Sequence, residues 1–342
     1  MAPLIPFFFP LFIWNTLQVD TVWRHNLDEV EVYRSRALAV SDTGIIALID
    51  RDQNHIVLLN DDGSLLQRIS ANGQGPGELQ SPTEITFCSQ DQTFAILDFG
   101  NMRLSKWSLA GQFVEEFSLP SVFFNPKFST RDEVLFIREP FGRNQQSPTV
   151  VRMYLGEGRL ENLWSYQPSV PLVFSKIGSF EGAGEMVWRW NPALQLGVGS
   201  EFVAVAFGSD STIQLLNLKG ANLGRPISVA LPQFQVTDAQ IQEGMDLMPT
   251  TMHRDLKAGL VRPESWPAIR NLLIDEAQRI WVFGCHPDLG MPHPFKVVNR
   301  QGNLLGEDNV AFLPLAAVKG HLYFLREEAD LSLEKVRVGG LE

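Results

Sequence analysis

The sequence predicts an all-β chain folded as a six-bladed β-propeller, and three observations carry that reading. A two-strand phrase, made of an apolar alternating run, a tight polar turn and a second apolar run closed by a polar residue or Gly, occurs six times. The copies span 36–50, 83–98, 125–139, 192–208, 268–284 and 311–326. Most copies are followed by a further strand, a turn carrying Gly and a fourth strand. The sixth is followed by one strand only, 333–338, while a strand-like run without a blade, 18–25, stands near the start.

Residues 1–17 are uncharged and largely apolar, like the hydrophobic part of a secretory signal, and too short for a membrane span. Pro3, Pro6 and Pro10, with no basic start and no small-x-small cleavage site, leave a buried or disordered apolar tail as the other reading. The propeller is expected over 18–342. Strand 18–25 supplies the missing fourth strand of the last blade, so that no sheet edge stays open at the seam.

The second strand of each phrase is apolar at consecutive positions, as in 45–49, 94–97, 202–207 and 280–283, the pattern of strands covered on both faces. The turns at Gly63, Gly111, Gly156 to Gly158, Gly220 and Gly302 carry the Gly that a short hairpin with positive φ requires. Between blades 4 and 5 an insertion, 232–267, opens with Thr237-Asp238-Ala239-Gln240, a capping-box pattern. Ile241, Met245 and Met248 follow at roughly helical spacing, which predicts a short helical insertion through 260, either a cap over the central opening or a surface helix on one blade.

The stretch Asp98-Phe99-Gly100-Asn101-Met102-Arg103, an apolar run and Gly111, with Gly73-Gln74-Gly75-Pro76-Gly77-Glu78 upstream, resembles the repeat of NHL-type and related bacterial six-bladed propellers. Blade 1 keeps Asp50, Asn54 and Gly63, and 182–185 repeats the lead-in in degenerate form; blades 3 to 6 depart from the motif. The resemblance implies the fold. It leaves function open, because that family spans binding scaffolds, lyases and lactonases.

With 28 basic and 39 acidic residues the net charge is −11, and no Lys/Arg-rich block occurs. Nucleic acid and anionic membrane surfaces are therefore disfavoured as partners. Cys88 and Cys285 fall in blades 2 and 5, across the ring from each other, and are expected as free buried thiols.

On one rim the turns are uniformly short. The long segments 72–81, 139–148, 168–191, 232–267 and 284–294 all belong to the other rim, where loops without repeat constraint place the functional surface. Candidates there are Arg138, Arg143 and Arg326, which follow second strands together with Arg51 and Arg103 and could converge on an anion or pair with nearby carboxylates. Trp188 and Trp190, with Trp266, could stack on a sugar or a peptide, or pack between blades. His286, Asp288 and His293, beside Cys285, are metal-capable, but their spacing matches no common zinc signature. Alternation on the first strands nominates Glu84, Asn125, Lys127, Gln195 and Asn271 as channel-lining. Similar carboxylate and amide groups hold a divalent cation in lactonase-type propellers, and Lys127 would compete with such an ion. No phosphate loop, nucleophile elbow or Ser/His/Asp arrangement is present.

These readings favour a non-catalytic extracytoplasmic propeller, periplasmic or secreted, that binds a protein, peptide or glycan ligand on the long-loop rim. It needs no cofactor and has no membrane span in its mature form. The alternative is a metal-assisted lactonase- or lyase-like enzyme at the channel mouth, using calcium or zinc.

Overall fold

Each of the six phrases becomes the inner half of a four-stranded antiparallel sheet. The structure, a computed structural model, describes residues 17–70, 72–138, 147–166, 194–208, 210–240, 242, 265–287, 291–327 and 330–341. After β1 (Gln18–Asn26), blade 1 comprises β2 (Leu38–Val40), β3 (Ile46–Asp50), β4 (His55–Leu59) and β5 (Leu65–Ser70). Blade 2 holds β6 (Pro82–Cys88), β7 (Thr93–Asp98), β8 (Arg103–Ser108) and β9 (Phe113–Ser118). Blade 3 holds β10 (Phe124–Thr130), β11 (Glu133–Arg138), β12 (Thr149–Tyr154) and β13 (Arg159–Ser165). Blade 4 holds β14 (Leu194–Val198), β15 (Phe202–Phe207), β16 (Thr212–Asn217) and the short β17 (Ile227–Ser228). Blade 5 holds β18 (Asn271–Ile274), β19 (Ile280–Phe283), β20 (His293–Val298) and β21 (Leu304–Val310). Blade 6 holds β22 (Ala316–Val318), β23 (His321–Glu327), β24 (Leu331–Gly339) and, as its outer strand, β1.

The all-β, six-bladed prediction and its closure therefore hold. β1 pairs antiparallel with β24, Val19 opposite Val338 and Trp23 opposite Lys335, with a bulge between Thr21 and Trp23. Leu17, the first described residue, is buried between blades 5 and 6 and donates its N–H to Glu307 O at 3.3 Å.

The consecutive apolar positions of the second strands have a direct explanation. Each second strand feeds two cores at once, alternate residues going to the blade on either side. In β7, Phe94 and Ile96 pack toward blade 1, while Ala95 and Leu97 pack toward blade 3. In β19, Ile280 and Val282 face blade 4, and Trp281 and Phe283 face blade 6. The interior is thus divided into six wedges, one between each pair of neighbouring blades, and the seam wedge is filled by Leu27, Val32, Leu38, Leu48, Tyr323 and Leu333. Each large side chain buried there contributes roughly 1.5–3 kcal/mol, so a blade is stable only with both neighbours in place.

The hairpin glycines take positive φ, from 62° at Gly158 to 88° at Gly220. Four of them also make the blade-to-blade approach possible. A Cβ on Gly111 would lie 2.8 Å from Ile69 of blade 1, on Gly220 2.7 Å from Leu163 of blade 3, and on Gly302 3.0 Å from Ile227 of blade 4. At the seam the same contact recurs: a Cβ on Gly63 would lie 2.3 Å from His25 of β1. The outer strand supplied by β1 is therefore used by blade 1 as β5, β13 and β17 are used by the blades that follow them, whereas Gly158 of blade 3 has open space.

A second repeat escapes the sequence pattern. Third strands carry a basic residue registered opposite a Glu of the fourth strand, as Lys106 with Glu115 in blade 2, Arg152 with Glu161 in blade 3 and Lys296 with Glu307 in blade 5. The charged atoms lie 3.4, 3.5 and 2.8 Å apart. Lys106, 2% exposed, also donates to Asp91 Oδ2 at 2.6 Å and to Arg131 O of blade 3 at 2.9 Å, tying two blades together through one ammonium.

The capping box is present: Gln240 N–H donates to Thr237 Oγ1 at 3.3 Å and Thr237 N–H to Gln240 Oε1 at 3.1 Å, opening a helical turn at 238–240. The rest of the expected helical insertion, 243–264, lies outside the described residues, as does the apolar segment 1–16. Both cysteines are free and buried. Among the described residues no helix is long and apolar enough to cross a membrane.

Candidate functional site

The first strands of the six blades surround a central channel, and the geometry there begins with two bulges. β6 slips register between Pro82 and Glu84, and β10 between Phe124 and Lys127. Asn125 takes φ 51°, a left-handed conformation that costs a non-glycine residue about 1 kcal/mol or more and is tolerated best by Asn. The bend aims the Asn125 N–H at the neighbouring blade, where it donates to Glu84 Oε2 at 2.6 Å. Burial pushes the Glu84 carboxyl up to about 7, against the pull of that N–H and of the Lys127 charge. Lys127 is displaced downward by burial, opposed by Glu84. A carboxyl and an amine from adjacent blades thus share the channel wall, each drawn by burial toward its neutral form.

The remaining channel candidates separate. Asn271 is a structural amide: its Nδ2 donates to Pro314 O at 2.6 Å, fastening blade 5 to the lead-in of blade 6, and its Oδ1 accepts from Leu272 N–H at 2.8 Å. Gln195 is half-buried on β14 opposite Ala206 of β15.

From Lys127 outward the channel widens into a cavity of about 560 Å³. Its half-exposed apolar walls include Phe87, Phe128, Val198, Ile274 and Leu315, and its mouth is formed by Ser89, Gln90, Ser200, Gln278 and Lys319. Those mouth residues belong to the short-turn rim, opposite the rim that loop length favours. The signal was in the sequence in inverted form: turns of two or three residues cannot reach across the opening, so that end stays accessible. Cys88 also lines the cavity, with its thiol pushed up to about 11 by burial, so it stays protonated at neutral pH.

The long-loop candidates are held locally. Arg326 pairs with Glu334 at 2.7 Å and lies 4.4 Å over the Phe312 ring. Arg138 donates to Asn162 Oδ1 at 2.9 Å across its own blade. Arg103 pairs with Glu116 at 2.8 Å and donates to Gly75 O at 2.8 Å and to Glu78 O, while Asn101 donates to Gly73 O at 2.9 Å and to Asp98 Oδ2 at 2.7 Å. The Asp-Asn-Arg motif and the Gly-rich lead-in are therefore one device, a brace that fastens the lead-in loop onto its blade. Trp266 is buried against Val236 and Cys285, with its Nε1 donating to Gln240 Oε1 at 3.3 Å. His286 and His293 meet through the backbone, His286 N–H donating to His293 Nδ1 at 3.1 Å, and the His286 ring lies 4.6 Å from that of Phe234. Arg143, Trp188, Trp190 and Asp288 lie outside the described residues. Among the described residues no three His, Cys, Asp or Glu side chains form a group that could hold a metal ion.

Residues 27–151, from the seam through the first half of β12, match a family model described as DUF5128, a 6-bladed beta-propeller. Over nearly its whole length the chain is similar in fold to a member of the DUF4221 family from Bacteroides vulgatus ATCC 8482, with TM-score 0.62 and 13% identity, covering 95% of this chain and 99% of that one. It is also similar to a Bacteroides fragilis NCTC 9343 protein described as a candidate exported protein, with TM-score 0.54 and 9% identity, covering 94% of each chain. At these identities the likeness is one of fold. No curated protein matches the sequence.

Proposed function

We propose that this chain is a non-catalytic, extracytoplasmic binding propeller whose long-loop rim takes a protein, peptide or glycan ligand. The observation that supports the reading is the inequality of the two rims. The framework is a closed ring of near-equivalent sheets, and 139–148, 167–193, 232–265 and 284–292 attach at the strand ends of a single rim. A rigid scaffold carrying unequal loops on one side is the usual arrangement for recognition. Kinship with NHL-type propellers is part of the same proposal and rests on the brace of blade 2. The extracytoplasmic setting is consistent with the description of the Bacteroides fragilis structural relative as exported.

Gln235 bridges to Ser265, and Trp266 N–H donates to Phe234 O at 2.8 Å, so the base of the insertion is held closed by an isolated antiparallel bridge. Replacing 241–264 by a short Gly-Ser turn removes the insertion without opening that base. The test compares wild type and this variant on glycan arrays and against peptide libraries. Loss of a wild-type ligand with an unchanged unfolding midpoint supports the reading; ligands retained by the variant and by matching replacements of 139–146 and 288–290 overturn it.

A further inference from the structure

Cations buried or half-buried in this ring have carboxylate partners. Lys106 has Asp91 at 2.6 Å, Lys335 has Asp61 at 2.6 Å, Arg279 has Asp275 at 2.7 Å and Arg326 has Glu334 at 2.7 Å. Lys127 departs from the pattern. It lines the central cavity, and among the described residues its ammonium has neither a hydrogen bond nor a carboxylate within 4.0 Å. The charge that faces it from blade 2, Glu84, stands beyond the cavity's inner end, with one oxygen already taken by the Asn125 N–H. A half-buried ammonium at the inner end of a cavity, with three donors to offer, is placed to receive an anion that enters from the mouth.

We propose that the central cavity is a binding site for a small organic monoanion, a carboxylate with an apolar body, admitted from the short-turn rim with its charge against Lys127. The volume of about 560 Å³ suits a small molecule. The half-exposed walls between Lys127 and the mouth include Phe87, Phe128, Val198, Ile274 and Leu315, which match an apolar body rather than a sugar. The charge is limited to one unit because a single ammonium stands at the inner end, and the mouth carries Asp42 and Glu276 against Lys319, a rim that opposes a phosphate ester or a dicarboxylate. This site is separate from the long-loop rim, so its failure would leave the proposed binding face untouched.

The probe set is 4-phenylbutanoate, 4-phenylbutanol and 4-phenylbutylamine, titrated calorimetrically into the full chain. The expected result is carboxylate binding at least about tenfold tighter than the alcohol, the effect of one charged hydrogen bond, with the amine weakest. Lys127→Met abolishes that preference, while Lys219→Met, at an exposed hairpin turn outside the cavity, changes it less than about twofold. Ser200→Trp, on an exposed turn residue of the mouth, obstructs admission and lowers affinity for the carboxylate and the alcohol alike, which keeps the test decisive if Lys127→Met does not fold. Equal affinity for carboxylate and alcohol, absence of binding by all three probes, a preference that survives Lys127→Met, or full affinity in Ser200→Trp would each overturn the proposal.

Discussion

Replacing Gly63 by Ala tests how the ring is closed. Gly63 has φ 83°, and an added Cβ would stand 2.3 Å from Cδ2 of His25 on β1. Gly158 has φ 62° and nothing within 4 Å, so Gly158→Ala isolates the backbone strain, about 1–2 kcal/mol. Gly63→Ala carries the same strain and must also displace the His25 ring. That ring donates to Asp62 O at 2.8 Å and lies 5.0 Å from the Trp23 ring, and losing the hydrogen bond alone removes about 1 kcal/mol. The expected destabilisation is therefore about 3 kcal/mol for Gly63→Ala against about 1–2 for Gly158→Ala, with coupling of about 1–2 kcal/mol between Gly63→Ala and His25→Ala in a double-mutant cycle. Urea unfolding followed by tryptophan fluorescence measures all four. Equal effects at the two glycines, or additivity with His25→Ala, would mean that β1 does not lie against blade 1 in solution, and the closure argument would fall.

Other consequences are equally open to measurement. With its folded value near 7 against 4.5 unfolded, Glu84 keeps a proton in the native state that the unfolded chain releases, so stability is lost as pH rises from about 4.5 to 7. Relative to the Glu84→Gln/Lys127→Met double variant, wild type should lose up to about 3 kcal/mol between pH 4.5 and 8, and a constant difference refutes the assignment. Lys106→Ala should destabilise by about 3 kcal/mol and Lys106→Met by roughly half as much, because the thioether refills the stem's volume while the half-buried Asp91 keeps Thr93 as a partner; an effect of Lys106→Ala below about 1 kcal/mol would remove the ammonium from its bracing role. Arg103→Lys cannot serve Gly75 O, Glu78 O and Glu116 together, so amides of 72–81 should exchange faster in hydrogen–deuterium exchange while β7 is unchanged; uniform exchange would show that the brace is not what holds the lead-in.

The blades were legible because a second strand serving two wedges has to be apolar at every position, which writes a dense and repeated signal into residues such as Ile46 to Ile49 and Phe94 to Leu97. The hairpin turns were legible for a related reason, since positive φ beside a neighbouring blade narrows the choice to Gly. The site was less so. Alternation placed Glu84 and Lys127 on the channel, but it nominated Asn271 on equal terms, and nothing local to Asn271 shows that Pro314 of the next blade occupies it. Arg103 and Asn101 stood out as a motif whose purpose depends on a loop 25 to 30 residues upstream. The direction in which the cavity opens was hidden, because loop length draws attention to residues that project and not to an end left uncovered by turns too short to reach it.

The pairing of β1 with β24 sets Gln18 beside Gly339, so both terminal strands leave the ring at one point. Tension applied between the two ends would load that ladder at its first rung and unzip it pair by pair, from Gln18 with Gly339 toward Asn26 with Ser332, instead of shearing the rungs together. A tether on both ends would find the ring easy to peel apart at this one place. An anchor on a single end would put no such load on it.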